Sequence, residues 1–254
     1  MRPGTIDFID AVLRGSSDVA LVDPLLAGRD CEIAESLSRA HLGTVLYIHL
    51  TPEYAQAAVG MIRQVGSGEV VTYGYNDDPT TFAAILRRQS RASRGQLLLR
   101  ALAPQIANLP PEVRAGVHSM SEYGDRIDSV DCLASVCGVT RSTLWRHLRS
   151  AGVASAWGFV TGIKMLRNYD ALVDASNGPV AIARAVGVSS TRALQHRCKA
   201  VVGLTLQEIR KPISIEELAS RIADVLTTPR PETAATSDEL AHAQAAELAH
   251  GYSE

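Results

Sequence analysis

No stretch of this 254-residue chain strings together the run of about eighteen apolar residues that a membrane-spanning helix needs. Cysteine is scarce. The four present, Cys31, Cys132, Cys137 and Cys198, are too few and too scattered for a disulfide framework and read as reduced, small, buried side chains. Lysine is scarcer still, with three residues, the first of them Lys164. The opening MRPGTIDFID carries acids early and no apolar run followed by a small-residue cleavage site, so a cytoplasmic protein is expected. Signatures of catalysis are missing too: the sequence has no phosphate loop, no Gly-x-Ser-x-Gly elbow, no His-Glu-x-x-His and no paired-cysteine metal site. Cys132 and Cys137 with His147 fit no standard zinc spacing. The expectation is a protein that is not an enzyme and carries no metal and no cofactor.

An excess of either charge is also missing from the whole chain, whose net charge is −2, but not from its parts. Residues 1–124 hold 11 Lys+Arg against 13 Asp+Glu, residues 125–212 hold 12 against 6, and residues 213–254 hold 2 against 8. A basic block therefore lies between two acidic ones. That asymmetry points to a nucleic-acid-binding module with an acidic tail.

What is present along the chain falls into four parts. In residues 1–90, DVALVD (18–23), TVLYIHL (44–50) and EVVTYGY (69–75) read as buried strands. Helical patterns at 30–41 and 52–65 separate them, and a third at 79–89 opens on Asp78 as N-cap and Pro79 in the first turn. Strand alternating with helix predicts a small α/β domain on a parallel sheet. Residues 91–124 read as a helical connector, broken at Pro110 and Pro111 before a second helix at 111–120. Leu97, Leu98, Leu99 and Leu102 are expected to pack on the α/β domain, with dimerisation as the alternative. Residues 125–212 are helical throughout. Residues 213–254 start with Ser214-Ile-Glu-Glu217, capping-box-like, carry a stripe of Ile215, Leu218, Ile222 and Val225, and end in an Ala-rich tail expected to be frayed.

Two stretches of the basic block share one plan. The first runs from Ser129 through Ala134, Gly138 and Thr140 to Leu148; the second runs from Val180 through Ala183, Gly187 and Ser189 to Lys199. Each pairs a short helix carrying a small residue with a glycine turn, a hydroxyl N-cap and a helix rich in Arg, Ser and Thr. This is helix-turn-helix logic: Ala134 and Ala183 allow close crossing, Gly138 and Gly187 supply a positive φ, and Thr140 and Ser189 cap the second helix. A helix at about 155–173 links the two. Its 19 residues would span roughly 28 Å, which suits two recognition helices about one DNA turn apart, near 34 Å.

On these residues the block resembles the AraC/XylS-type DNA-binding domain over about residues 126–211. The likeness closes in Gly203-Leu-Thr205-Leu206-Gln-Glu-Ile209-Arg210, where that family has Gly-x-Thr-Pro-x-x-Tyr-Arg. Leu206, Ile209 and Cys198 depart from its usual Pro, Tyr and Phe, all at packing positions. The resemblance implies two recognition helices entering successive major grooves. Its base-facing positions fall on Ser142, Trp145 and Arg146, then on Thr191, Arg192, Gln195 and His196. Arg146 and Arg192 suit guanine and Gln195 adenine, whereas Trp145 suits a thymine methyl or a sugar edge. Thr140, Arg141, Arg149, Ser190, Arg197 and Lys199 suit phosphates. The expected partners are double-stranded DNA, a second copy through the N-terminal domain or connector, and RNA polymerase. The expected setting is the prokaryotic cytoplasm and nucleoid, with no membrane.

The front domain places Asp23, Asp77 and Asp78 after strands, where ligands of open parallel sheets bind. It weakly resembles a response-regulator receiver, a flavodoxin-like fold, but has no lysine and ends its middle strand in His49-Leu50-Thr51 without an acceptor Asp. A degenerate receiver-like interaction or sensor domain is therefore expected, and Tyr73 and Tyr75 read as core. A protein-interaction adaptor and a phosphorylation-controlled regulator are the alternatives.

Overall fold

The computed structural model describes residues 19–27, 33, 35–37, 43–65, 68–124, 126–211 and 213–228. Within the first of its two units, Met1–Gln96, the three apolar runs become parallel strands: Val19–Val22 (β1), Gly43–Ile48 (β2) and Glu69–Thr72 (β3), in the order β1-β2-β3. Leu46 stands opposite Val22 on one side and Val70 on the other. Side chains alternate across the sheet with the two-residue period of a strand. Ala20, Val22, Leu46 and Ile48 pack with Leu37, Ala58 and Met61 on one face, and Val45 and Val71 pack with Ile85 on the other. The central strand is covered on both faces, which explains its nearly continuous apolar run.

Helix α1 (Pro24–Ala27) follows β1, and α2 (Pro52–Val65) occupies the expected span. Of the candidate helix 30–41, only residues 33 and 35–37 are described, and they are helical. Asp78 caps α3 (Pro79–Ala101), its Oδ1 accepting from the N–H groups of Thr80 and Thr81 at 3.1 and 3.0 Å. The expected end at residue 89 is wrong, because no proline interrupts the chain until Pro104 and the helix continues. β3 stops at Thr72. Tyr73 and Tyr75 sit in the turn beyond it and are 60% and 83% exposed, so the expectation of core tyrosines fails there.

The second unit, Leu97–Glu254, is helical in all its described elements. They are α4 (Ala103–Ala107), α5 (Pro111–Tyr123), α6 (Val130–Val136), α7 (Arg141–Ser150), α8 (Ala156–Arg167), α9 (Tyr169–Val173), α10 (Pro179–Val186), α11 (Thr191–Val202), α12 (Leu206–Ile209) and α13 (Ile215–Thr227). The protein is thus mostly helical, with one small three-stranded parallel sheet near the N-terminus. No helix among the described residues is long and apolar enough to cross a membrane.

One continuous core runs from Leu98 to Leu226. Leu98, Leu99 and Leu102 are buried in it, so these connector leucines belong to the core of the helical unit, where packing on the α/β domain was expected. Helix α8 is the hub, touching α6, α7, α10, α11 and α13. Ten of its residues are buried, and only Trp157 and Lys164 keep part of their surface, the pattern of a helix enclosed on all sides. The expected 19-residue linker is broken at Asn168, which leaves the helical region at φ −108° and ψ 27°. Its amide side chain donates to the Lys164 carbonyl at 2.9 Å and its backbone N–H is shared between Lys164 and Met165, the local competition typical of Asn in helices. The 12-residue α8 spans roughly 18 Å, so helix length alone does not set the separation of the two helix pairs.

The expected acidic tail is likewise divided. Its first part is structural, since Leu218, Ala219, Ile222, Ala223 and Leu226 of α13 are all buried. Ser214 caps α13 by accepting from the Glu217 N–H, but Glu217 turns forward to Arg221 and the expected reciprocal bond is not made. The full capping box forms instead between Thr205 and Glu208, at the start of α12. Residues 229–254 lie outside the described ones.

Candidate nucleic-acid interface

Two helix pairs carry the basic side chains, and each begins with a helix whose end is forced by glycine. Gly138 and Gly187 hold φ of +66° and +71°, a region that costs an L side chain energy and glycine almost nothing. Val139 and Val188 then send their N–H groups back to the carbonyls of Ala134 and Ala183 at 3.0 and 2.8 Å, which closes each turn. Ala134 and Ala183 are both buried, as the short side chains needed at the crossings. The second helix of each pair starts on a hydroxyl. Thr140 Oγ1 accepts from the Thr143 N–H at 3.2 Å, as expected. In the other pair the cap is Ser190, accepting from the Ala193 N–H at 3.1 Å, and not Ser189.

Helix α11 sorts its faces cleanly. Leu194, Cys198, Val201 and Val202 are buried, while Arg192, Gln195, His196 and Lys199, spaced i, i+3, i+4 and i+7, are all exposed along one stripe. Thr191 is half-buried at its start. Helix α7 buries Leu144 and Leu148 and exposes Arg141, Ser142, Arg146 and Arg149. There Arg146 Nη2 donates to Thr143 Oγ1 at 3.2 Å, and Arg141 pairs weakly with Asp131 at 3.4 Å. Such a surface pair is easily exchanged for another anion.

Two of the sequence-predicted contacts sit differently. Trp145 is half-buried against the core, its indole Nε1 buried without a hydrogen-bond partner, and the Arg149 guanidinium lies over its ring at 5.0 Å. Arg197 is half-buried with its guanidinium 5.5 Å from the Trp157 ring, and burial lowers its pKa.

Lys164 belongs to neither helix-turn-helix pattern in the sequence, yet its amine lies near both pairs. Its Nζ donates to the Asp128 carbonyl at 2.6 Å, just before α6, and stands within 3.3 Å of where a side chain on Gly187 would begin. Burial lowers its pKa, Asp128 opposes that and Arg197 adds to it. Its signal in the sequence is rarity, the first lysine in 164 residues.

The three carboxylates of the front unit are held by their own surroundings. Asp23 Oδ1 accepts from the Leu25 N–H at 2.8 Å and its Oδ2 from the Tyr54 hydroxyl at 3.3 Å. Asp77 accepts from the Gly74 N–H at 3.0 Å and the Tyr47 hydroxyl at 2.9 Å, bonds that lower its pKa, and Asp78 is the cap of α3. The tyrosines that hold Asp23 and Asp77 are linked through His49 and Tyr73 by ring contacts at 5.1–6.4 Å, and no group of three or more His, Cys, Asp or Glu suited to a metal occurs among the described residues. No family model, no curated protein and no solved structure matches the chain.

Proposed function

We propose that residues 125–212 form a double helix-turn-helix DNA-binding domain of the AraC/XylS type, and that the protein is a sequence-specific transcription regulator governed by its N-terminal domain. One observation carries this reading. Two helix pairs, each with a left-handed glycine turn and a hydroxyl cap that follows the glycine by two residues in one pair and three in the other, flank a common buried helix, and each presents exposed arginines on its second helix. A solvated helix face would account for any one arginine, but not for two glycine turns each followed by a hydroxyl cap within a block of net charge +6. Arg146 and Arg192 are the guanine readers and Gln195 the adenine reader, with Ser142 and His196 beside them. Arg141, Lys199 and the capped N-termini of α7 and α11 take phosphates. The α/β domain is a degenerate receiver-like sensor or interaction module, the protein pairs with a second copy and contacts RNA polymerase, and it works in the prokaryotic cytoplasm.

Selection of bound fragments from a genomic library, with salt titration of the best site, tests the reading. Arg146→Ala and Arg192→Ala are each expected to cost about 1–3 kcal/mol and to relax preference at one base position. Lys199→Ala weakens all sequences alike and lowers the salt slope by about one. A chain that selects no sequence, or variants that all keep the wild-type base preference, would defeat it.

A further inference from the structure

A cavity of about 550 Å³ opens beside the start of α7. Its lining joins both indoles of the chain, Trp145 and Trp157, with the short apolar side chains of Val130 and Ala156 and with three consecutive polar residues, Thr140, Arg141 and Ser142. We propose that this cavity is a binding site for a small planar aromatic anion, of the class of aryl carboxylates, and that its occupant competes with DNA for the first recognition helix.

The volume lies within the range of about 300–1,000 Å³ that small-molecule sites occupy. Mostly apolar lining with polar groups supplied by one short segment suits a ligand that is flat and greasy over most of its surface and charged at one point. The indoles are the two largest flat side chains in the protein, each with a guanidinium over its ring, Arg149 at 5.0 Å and Arg197 at 5.5 Å, and stacked or edge-on contact with the rest of the ring surface favours an aromatic ligand over an aliphatic one. The sign of the charge is set by the polar segment. Arg141 is exposed and holds Asp131 only at 3.4 Å, so its fork is open to a better carboxylate. The N–H groups of Arg141 and Ser142 lie in the first turn of a ten-residue helix, where no preceding helical carbonyl can accept from them, and the cap Thr140 Oγ1 takes the N–H of Thr143. A helix start of this kind favours an anion. A cation would meet Arg141 and the positive end of α7 with no carboxylate in the lining to offset them.

Thr140, Arg141 and Ser142 are also groups that the regulator reading gives to DNA. The competition, unlike the binding itself, rests on that reading. A carboxylate on Arg141 would take the donors that a DNA phosphate needs.

The test uses the full chain and naphthalene-2-carboxylate as probe. Trp145 and Trp157 are the only tryptophans and both line the cavity, so a nitrogen–proton correlation spectrum has two indole N–H signals, both from its wall. Saturable one-to-one binding that shifts both signals is expected, with calorimetry giving the affinity. The neutral naphthalene-2-carboxamide and the aliphatic cyclohexanecarboxylate should each bind at least tenfold more weakly. Arg141→Gln should lose at least tenfold for the carboxylate but not for the amide, and Arg141→Lys should recover part of it. Unshifted indoles, or equal affinity for carboxylate and amide, would overturn the site. In the second stage, saturating naphthalene-2-carboxylate should weaken DNA binding at least fivefold. Unchanged DNA affinity with both indoles shifted overturns the competition, whereas shifted indoles in a chain that binds no DNA sequence locate the failure in the regulator reading instead.

Discussion

A thiol surrounded by apolar side chains resists ionisation, and two thiols of the helical unit carry that resistance into the stability of the fold. Burial pushes Cys137 up to about 11, with the Glu112 carboxylate adding to it, and burial also pushes Cys198 up to about 11. Since the folded value lies above the ordinary value of 9.0, these thiols support folding fully below pH 9 and that support drains away as pH rises from about 9 to about 11. Urea midpoints measured between pH 7 and 10.5 should fall, and a Cys137→Ala/Cys198→Ala double variant should show a flatter fall; equal slopes would contradict the assignment. Local needs of this kind are legible in the sequence. Gly138, Gly187 and Thr140 each answer a requirement of their own few neighbours, and the structure meets it with those residues. Ser190 takes the place expected for Ser189 because two adjacent serines offer the same side chain and only the extended backbone at Ser190, φ −152° and ψ 159°, decides between them. The placements of Trp145 and Arg197 are not legible. Arg197 meets Trp157, forty residues earlier, and no local pattern announces that contact.

Among elements, the packing of α13 on α8 shows what periodicity conveys and what it leaves out. The stripe of Leu218 and Ile222 announces an apolar face but not its partner. The partner surface is two glycines one turn apart, Gly158 and Gly162, where an added Cβ would lie 2.9 Å from Leu226 Cδ2 and 2.7 Å from Ile222 Cγ2. Gly162→Ala therefore overfills the contact and is expected to cost about 1–3 kcal/mol. Gly60→Ala in α2, where nothing lies within 4 Å, should instead stabilise by about 0.5–1 kcal/mol. Paired urea titrations of the two variants, read against wild type, check both signs at once. The break in the linker is hidden in the sequence for a similar reason: the apolar period continues through Leu172, and a single Asn side chain bonding to the Lys164 carbonyl ends α8 without disturbing that period.

For the whole molecule, charge locates the basic block but misleads about the segment after it. The eight acids after residue 212 suggest a separate tail, although Glu216, Glu217 and Asp224 sit on a helix whose other face closes the core. A chain ending at residue 212 should consequently lose the cooperative unfolding transition of the helical unit, while one ending at Thr228 should keep it; calorimetry distinguishes them, and a sharp transition in the shorter chain would show α13 to be dispensable. The Lys164 amine also bears on how such a surface could be regulated. Lys164 is spent on the Asp128 carbonyl, and the described residues expose only two other lysines, Lys199 and Lys211. Nearly all remaining positive charge in the block is guanidinium, which neither acetylation nor any physiological pH removes. Acetylation of this surface would therefore act through Lys199 and Lys211 alone, and the guanidinium contacts of a bound partner would yield only to competing ions or ligands.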